Sequence, residues 1–293
     1  MLRERLITAV VLLLILVVLL SLQQSVYFAI FCVIASGLTL AEWWRISLDK
    51  RFTSLAFGTA AVLTIIAVLF SFGMVTRGDE GVVSSQFSDS GLIHFNLFLT
   101  SISSVIWFLI IPYVLRKEQT QHKENHLFHS LFALVAVSAG ALSLILFVQY
   151  LGAWFVFSYL ILIWCADSFA YFGGRHFGGA KLAPGISPGK TRSGAICGIV
   201  AATLWLVISA YLSPTSFGGI LLEHSNILVV IVSAVVLTAY SIVGDLYESL
   251  MKRRAGLKDS SNILPGHGGV WDRLDSVLVV TPMTFLLMYV FLI

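Results

Sequence analysis

Continuously apolar runs of helix-spanning length recur from one end of this chain to the other, and they leave it few ways to fold. They cover about residues 6–20, 25–44, 55–75, 92–115, 130–150, 154–171, 194–212, 227–247 and 277–293. Each is near the roughly 20 residues that carry an α-helix across about 30 Å of hydrocarbon. Strands of a membrane barrel would alternate polar and apolar side chains, and these runs do not. Only 11% of residues are charged and mean hydropathy is +0.94, whereas a soluble domain carries about 25% charged residues. The expectation is an all-α, polytopic membrane helix bundle with about nine transmembrane helices. Residues 1–150 would supply helices one to five, and 151–293 helices six to nine, as one integral membrane unit.

The first run follows Arg3 and Arg5, so a cleaved signal peptide competes with a helix that stays. No small-x-small cleavage site follows at 21–26 and further spans come at once, which favours the uncleaved helix. Cys32, Cys165 and Cys197 all fall inside apolar runs, which argues against a disulfide framework.

Charge sets the orientation. With nine spans, of the 18 Lys and Arg only Arg77 falls on the even-numbered side, beside Asp79, Glu80 and Asp89. The positive-inside rule then places the N-terminus in the cytoplasm and the C-terminus outside. Most loop bases, Arg45, Lys50, Arg51, Arg116, Lys117 and Lys123 among them, need no further role than anchoring to anionic headgroups.

Two runs differ, because they carry acids toward the membrane. Asp167 lies 13 residues beyond Trp154, about 20 Å along a helix, so it should sit within the slab near its cytoplasmic edge. Asp245 reaches a similar depth from Ile227. A carboxylate facing lipid there costs about 2.5 kcal/mol or more, so both should face the bundle interior or a wet cavity. For Asp167 a structural acid satisfied by a neighbouring helix stays open. For Asp245 the spacing says more. Ser241, Asp245, Glu248, Ser249 and Lys252 follow i, i+4, i+7, i+8 and i+11, one face of a helix. Hydroxyl, carboxylate and ammonium on one stripe resemble a wall of a polar chamber.

Ten charged side chains crowd into residues 241–275. Beyond the stripe, Pro265-Gly266-His267-Gly268-Gly269 lets backbone amides approach a ligand closely. Asp272, Arg273 and Asp275 then precede the last run. Paired carboxylates with nearby bases and a glycine-rich turn suit a divalent cation carrying phosphate oxygens, with Asp245 and Asp272 as its ligands. A glycine cluster alone is often only a turn. A second segment, Gly173-Gly174-Arg175-His176 through Lys181 to Ser187-Pro188-Gly189-Lys190-Thr191-Arg192, offers small residues, hydroxyls and bases that can cradle a polyphosphate. It lacks the spacing of a Walker loop, and a solvated topogenic loop is an equal reading.

These motifs together resemble the phosphatidate cytidylyltransferase family. The match runs from Gly244-Asp245-Leu246-x-Glu248-Ser249 through Lys252-Arg253 and Lys258-Asp259. It continues with Leu264-Pro265-Gly266-His267-Gly268-Gly269 and Asp272-Arg273-x-Asp275. Upstream, Asp167-x-x-Ala170-Tyr171-x-x-Gly174-Arg175 and Ser187-Pro188-x-Lys190-Thr191 fit the same pattern. The motifs span about the last 130 residues. The chain departs from the family after Thr191, where Arg192 and Ser193 stand in place of tryptophan and glutamate.

The resemblance implies condensation of CTP with phosphatidic acid to CDP-diacylglycerol and pyrophosphate, dependent on Mg2+, with a second cation left open. It implies a catalytic set of Asp245, Lys252, Asp272 and Asp167, with metal on Asp245 and Asp272. Ser187, Lys190, Thr191, Ser241, Ser249, Arg253, Lys258, His267, Gly268, Gly269 and Arg273 would contact the substrates. The expected partners are CTP, phosphatidic acid and membrane lipids, not nucleic acid, and a homodimer is left open. No transit peptide is evident and the loops are short, so a bacterial cytoplasmic membrane is the expected location. The rival readings are an ion- or proton-coupled transporter, for which no internal repeat appears, a structural protein, and a CTP-dependent polyprenol kinase.

Overall fold

A computed structural model of the chain describes residues 2–22, 25–48, 54, 57–62, 91–117, 120 and 126–292. The long helices are α1 (Leu2–Ser21), α2 (Ser25–Ser47), α3 (Gly91–Arg116), α4 (His126–Leu151), α5 (Ala153–Phe177), α6 (Arg192–Leu212), α8 (Ile227–Arg254) and α9 (Trp271–Leu292). A π turn at Ile106–Ile110 interrupts α3, and a short α7 (Phe217–Glu223) joins α6 to α8. Seven of these helices, α2 to α6 with α8 and α9, are long and apolar enough to cross a membrane. The bundle is therefore all but purely helical and multi-pass, as the apolar runs required. The expected third span lies mostly outside the described residues, where only 57–62 is seen as helix.

Polar backbone cannot face lipid unpaired, and the starts of α6, α7 and α8 are capped by side chains. Asn226 accepts a bond from the amide of Val229 at 3.1 Å, and Ser216 from that of Gly219 at 2.9 Å. Thr191 does the same for Gly194 at 3.1 Å, and so starts α6 at Arg192. The helix α7 was not anticipated. Neither was the antiparallel hairpin β1 (Lys181–Ala183) and β2 (Ser187–Thr191), with Lys181 opposite Thr191. The segment read from the sequence as a polyphosphate cradle or a solvated loop thus contains a small ordered hairpin.

The last helix is the hub. From Ser276 to Phe285 every residue of α9 is buried, and α9 packs on α8, α4, α3 and α2. Around its first turn Trp43, Trp107, Phe132, Tyr247 and Trp271 form one aromatic cluster. Trp43 and Trp271 stack with centroids 4.4 Å apart and planes 9° from parallel. At this end α2 and α8 finish and α9 begins.

Helices α5 and α6 pack most intimately, through small residues that let backbones approach. A Cβ on Gly194 would lie 2.5 Å from the carbonyl oxygen of Ala170, and one on Gly198 2.6 Å from that of Ala166. Backbone oxygens cannot swing away as side chains do. Gly198→Ala should therefore cost about 1–3 kcal/mol of stability. Thermal unfolding in detergent reads this, and an unchanged midpoint would contradict the packing described.

Candidate active site

One cavity of about 660 Å3 opens where α5, the hairpin, α8 and the start of α9 converge. Asp167, Ser187, Lys190, Thr191, Asp245, Lys252, Asp272 and Arg273, all singled out from the sequence, line it, together with Arg175, Lys181, Glu248, Asp259 and Asp275. Two segments separated by more than 40 residues of chain, 166–195 and 242–275, thus form a single wall-to-wall site. What joins them is a small apolar contact. Ala183 and Ile186 of the hairpin are buried together with Leu246 and Leu250 of α8, with Val114 and Leu115 of α3 packed alongside. That contact swings Lys190 across the cavity into an ion pair with Asp245.

The expected stripe on α8 is real, and its members divide. Asp245, Glu248 and Lys252 reach the cavity. Ser249 donates to Asp245 Oδ1 at 3.4 Å, and Ser241 is buried behind the wall. Lys252 Nζ bridges Glu248 Oε2 and Asp272 Oδ1, each at 2.5 Å. Its side chain is 12% exposed, while those of Glu248 and Asp272 are 2% and 5% exposed. Desolvation on that scale is tolerable only because the ammonium is shared by two carboxylates.

The expected ligand pair, Asp245 with Asp272, is not the group the fold assembles. Asp245, Glu248 and Asp275 each bring a carboxylate oxygen within 4.8 Å of the others. Asp272 instead turns Oδ1 to Lys252 and Oδ2 to the Ser260 amide at 2.8 Å, the Ser260 hydroxyl at 2.7 Å and the Gly269 amide at 2.7 Å. Its two oxygens are therefore already in use. The difference arises because α9 begins at Trp271, six residues before the apolar run. Both acids lie in its first two turns, three residues apart, and an acid in the first turn suits the helix dipole.

The glycine loop also works differently from expectation. Gly268 has a left-handed φ of 81°, and a Cβ there would stand 2.7 Å from Asp272 Oδ2. The close approach the glycines allow is to the chain's own carboxylate. His267, Gly268 and Gly269 are off the cavity lining, as are Arg253 and Lys258, both exposed. Arg253 donates to the Leu257 carbonyl at 3.3 Å. Where the sequence departs from the expected tryptophan and glutamate, Ser193 donates to the Gly178 carbonyl at 2.5 Å and so ties α6 to the end of α5.

The donor set fits a hard divalent cation. Three carboxylates converge, and Glu248 Oε1 is buried with no hydrogen-bond partner among the described residues. Oxygen ligands of this kind suit Mg2+, which takes one or two carboxylates and completes its shell with water and phosphate.

Sequence reasoning missed Glu42, which is 1% exposed on α2 and accepts four bonds from the loop before α9. Its only sequence signal is an acid inside the second apolar run.

A profile of the family described as the cytidylyltransferase family matches residues 3–291. The chain is similar to the phosphatidate cytidylyltransferase of Haemophilus influenzae, 35% identical over 96% of each chain. It is also similar to that of Pseudomonas aeruginosa, 32% identical over 96% of this chain and 95% of the relative. A third, from Rickettsia felis, is 41% identical over 132 residues, 45% of this chain and 57% of the relative.

Proposed function

The chain belongs to the cytidylyltransferase family, and from that membership we propose that it condenses CTP with phosphatidic acid to give CDP-diacylglycerol and pyrophosphate. The observation that carries the reading is the cavity itself, in which a cluster of acids faces Lys190, Arg175, Lys181 and Arg273. Such a site can hold two polyanions side by side. It lies at the ends of membrane helices, so acyl chains can stay in lipid while the nucleotide arrives from water. We assign that end to the cytoplasm, in a bacterial inner membrane, because the basic loops lie there.

A phosphate oxygen of phosphatidic acid attacks the α-phosphorus of CTP in line. The bond from that phosphorus to the bridging oxygen breaks, and pyrophosphate departs with the electron pair. The phosphomonoester is largely ionised near neutral pH, with a second pKa of about 6, so no strong base is required. What the protein must supply is alignment and charge neutralisation. Lys190 stands on Asp245 and can exchange that carboxylate for an entering phosphate. Arg175, Lys181 and Arg273 line the same space and offset the triphosphate. Ser187 offers a hydroxyl from the hairpin. Lys252 is held between Glu248 and Asp272 and fixes the α8–α9 corner.

Asp245, Glu248 and Asp275 would hold Mg2+, with Asp167 near enough in the cavity wall to orient it or a second cation. The ion would supply Lewis-acid neutralisation of the phosphate oxygens. Asp272 belongs to the site as the anchor of Lys252, held from the loop before α9 by the Gly269 amide and the close approach of Gly268.

Purified protein in detergent, given CTP, Mg2+ and phosphatidic acid, should release pyrophosphate and form CDP-diacylglycerol. Release of CDP would identify a lipid kinase instead, and no nucleotide turnover would sink the proposal. Lys190→Ala should raise the KM for CTP by about tenfold or more, one charge-assisted phosphate contact being worth about 1.5–3 kcal/mol. An unchanged KM would remove Lys190 from the phosphate site.

A further inference from the structure

We infer that Glu42 is a positioning residue of this reaction: from α2 it closes the loop before α9 at its base and thereby sets Asp272 against Lys252. The inference rests on the function proposed above. No residue before Ala166 lines the cavity among the described residues, so Glu42 acts entirely through others.

A carboxylate that is 1% exposed in an apolar bundle is costly unless its oxygens are satisfied. Glu42 satisfies them in one place. Oε1 accepts from the Ser261 hydroxyl at 2.5 Å and the Val270 amide at 3.1 Å. Oε2 accepts from the Ser260 hydroxyl at 2.9 Å and the Trp271 amide at 2.8 Å. These donors come from the two ends of a single loop, 260–261 and 270–271. Two of them are amides at the start of α9, which have no partner within the helix and attract negative charge. A carboxylate that only filled the core would not need to join both ends of that loop.

The Ser260 hydroxyl makes the connection to the site. It lies 2.9 Å from Glu42 Oε2 and 2.7 Å from Asp272 Oδ2, and it has one proton to offer them. Asp272 continues to Lys252 at 2.5 Å, and Lys252 to Glu248 at 2.5 Å. An unbroken polar chain therefore runs from α2 to the acid cluster. The surroundings enforce it. Arg45 donates to the Ser260 carbonyl, and Trp43 stacks on Trp271. A Cβ on Gly269 would lie 2.5 Å from Glu42 Oε2, so the loop closes down on the carboxylate without room for another side chain.

Glu42→Gln keeps the size but turns one acceptor into a donor facing N–H and O–H groups. Ser260→Ala removes only the linking hydroxyl. With both substrates saturating, each variant should lose at least about tenfold in kcat while the KM for CTP stays within about threefold, because no cavity-lining group is touched. The double variant should be no slower than the slower single one, since both act along one chain of contacts. Thermal unfolding of each purified variant confirms that folded protein is compared. Full kcat in either single variant, or losses that multiply in the double, overturns the inference. Should Glu42→Gln fail to accumulate, Ser260→Ala decides alone by the same criterion. Wild-type turnover in the same assay separates the two conclusions. Its absence defeats the proposed reaction, whereas its presence beside fully active variants defeats only the role of Glu42.

Discussion

Asp275→Asn is expected to abolish CDP-diacylglycerol formation, by about 10²- to 10³-fold or more, with the protein still folded in the membrane. Asp275 lines the cavity and brings a carboxylate oxygen within 4.8 Å of oxygens from Asp245 and Glu248. Asparagine keeps the shape and one oxygen but removes the charge. The reaction joins two polyanions, so its barrier rests on countercharge placed beforehand at the transferring phosphorus. Asp245→Asn should behave alike, because it removes charge from the same cluster and the partner of Lys190. Labelled CTP incorporated into lipid measures the effect, and thermal unfolding checks the fold. Near-normal turnover in both variants would dismiss the three-carboxylate assignment. A full loss at Asp272→Asn with both of these still active would return the metal to Asp272.

Lys252→Met is expected to produce the largest loss of stability. The ammonium lies 2.5 Å from oxygens of both Glu248 and Asp272, two side chains only 2% and 5% exposed. Without it, two buried carboxylates adjoin with no shared countercharge. Removing one partner of a buried ion pair costs about 3–5 kcal/mol. The thermal midpoint in detergent should fall accordingly. Adding Glu248→Gln to Lys252→Met should recover part of that loss, since one uncompensated charge disappears, yet turnover should stay low. If the single variant unfolds at the wild-type temperature, the bridge is not what holds α8 to the start of α9.

The polar stripe of α8 was legible because a helix repeats its faces at fixed spacing. Asp245, Glu248 and Lys252 fall on one face wherever the helix lies. The same rule could not say which neighbour each would meet. From the sequence Asp272 is the expected ligand beside Asp245, although Asp275 precedes the same apolar run. The start of α9 at Trp271 separates them. That start depends on Glu42, more than 200 residues away, satisfying the amides of Val270 and Trp271. Likewise the hairpin at 181–191 carried no strong strand pattern. It is ordered by burying Ala183 and Ile186 against α8, a contact of tertiary origin.

Taken alone, the residue order makes this chain a multi-pass helical membrane protein and gathers its charged and glycine-rich motifs in two segments at one end of the helices. Those properties depend on local hydrophobic length, helical period and charge placement, which the order of residues contains directly. Only the tertiary structure decided that the two segments enclose one cavity, that Asp275 rather than Asp272 joins Asp245, and that Glu42 of α2 supports the arrangement. Each of those depends on which buried polar group finds which partner. In a bundle where an unpaired charge is costly, that choice is made by packing across the whole chain.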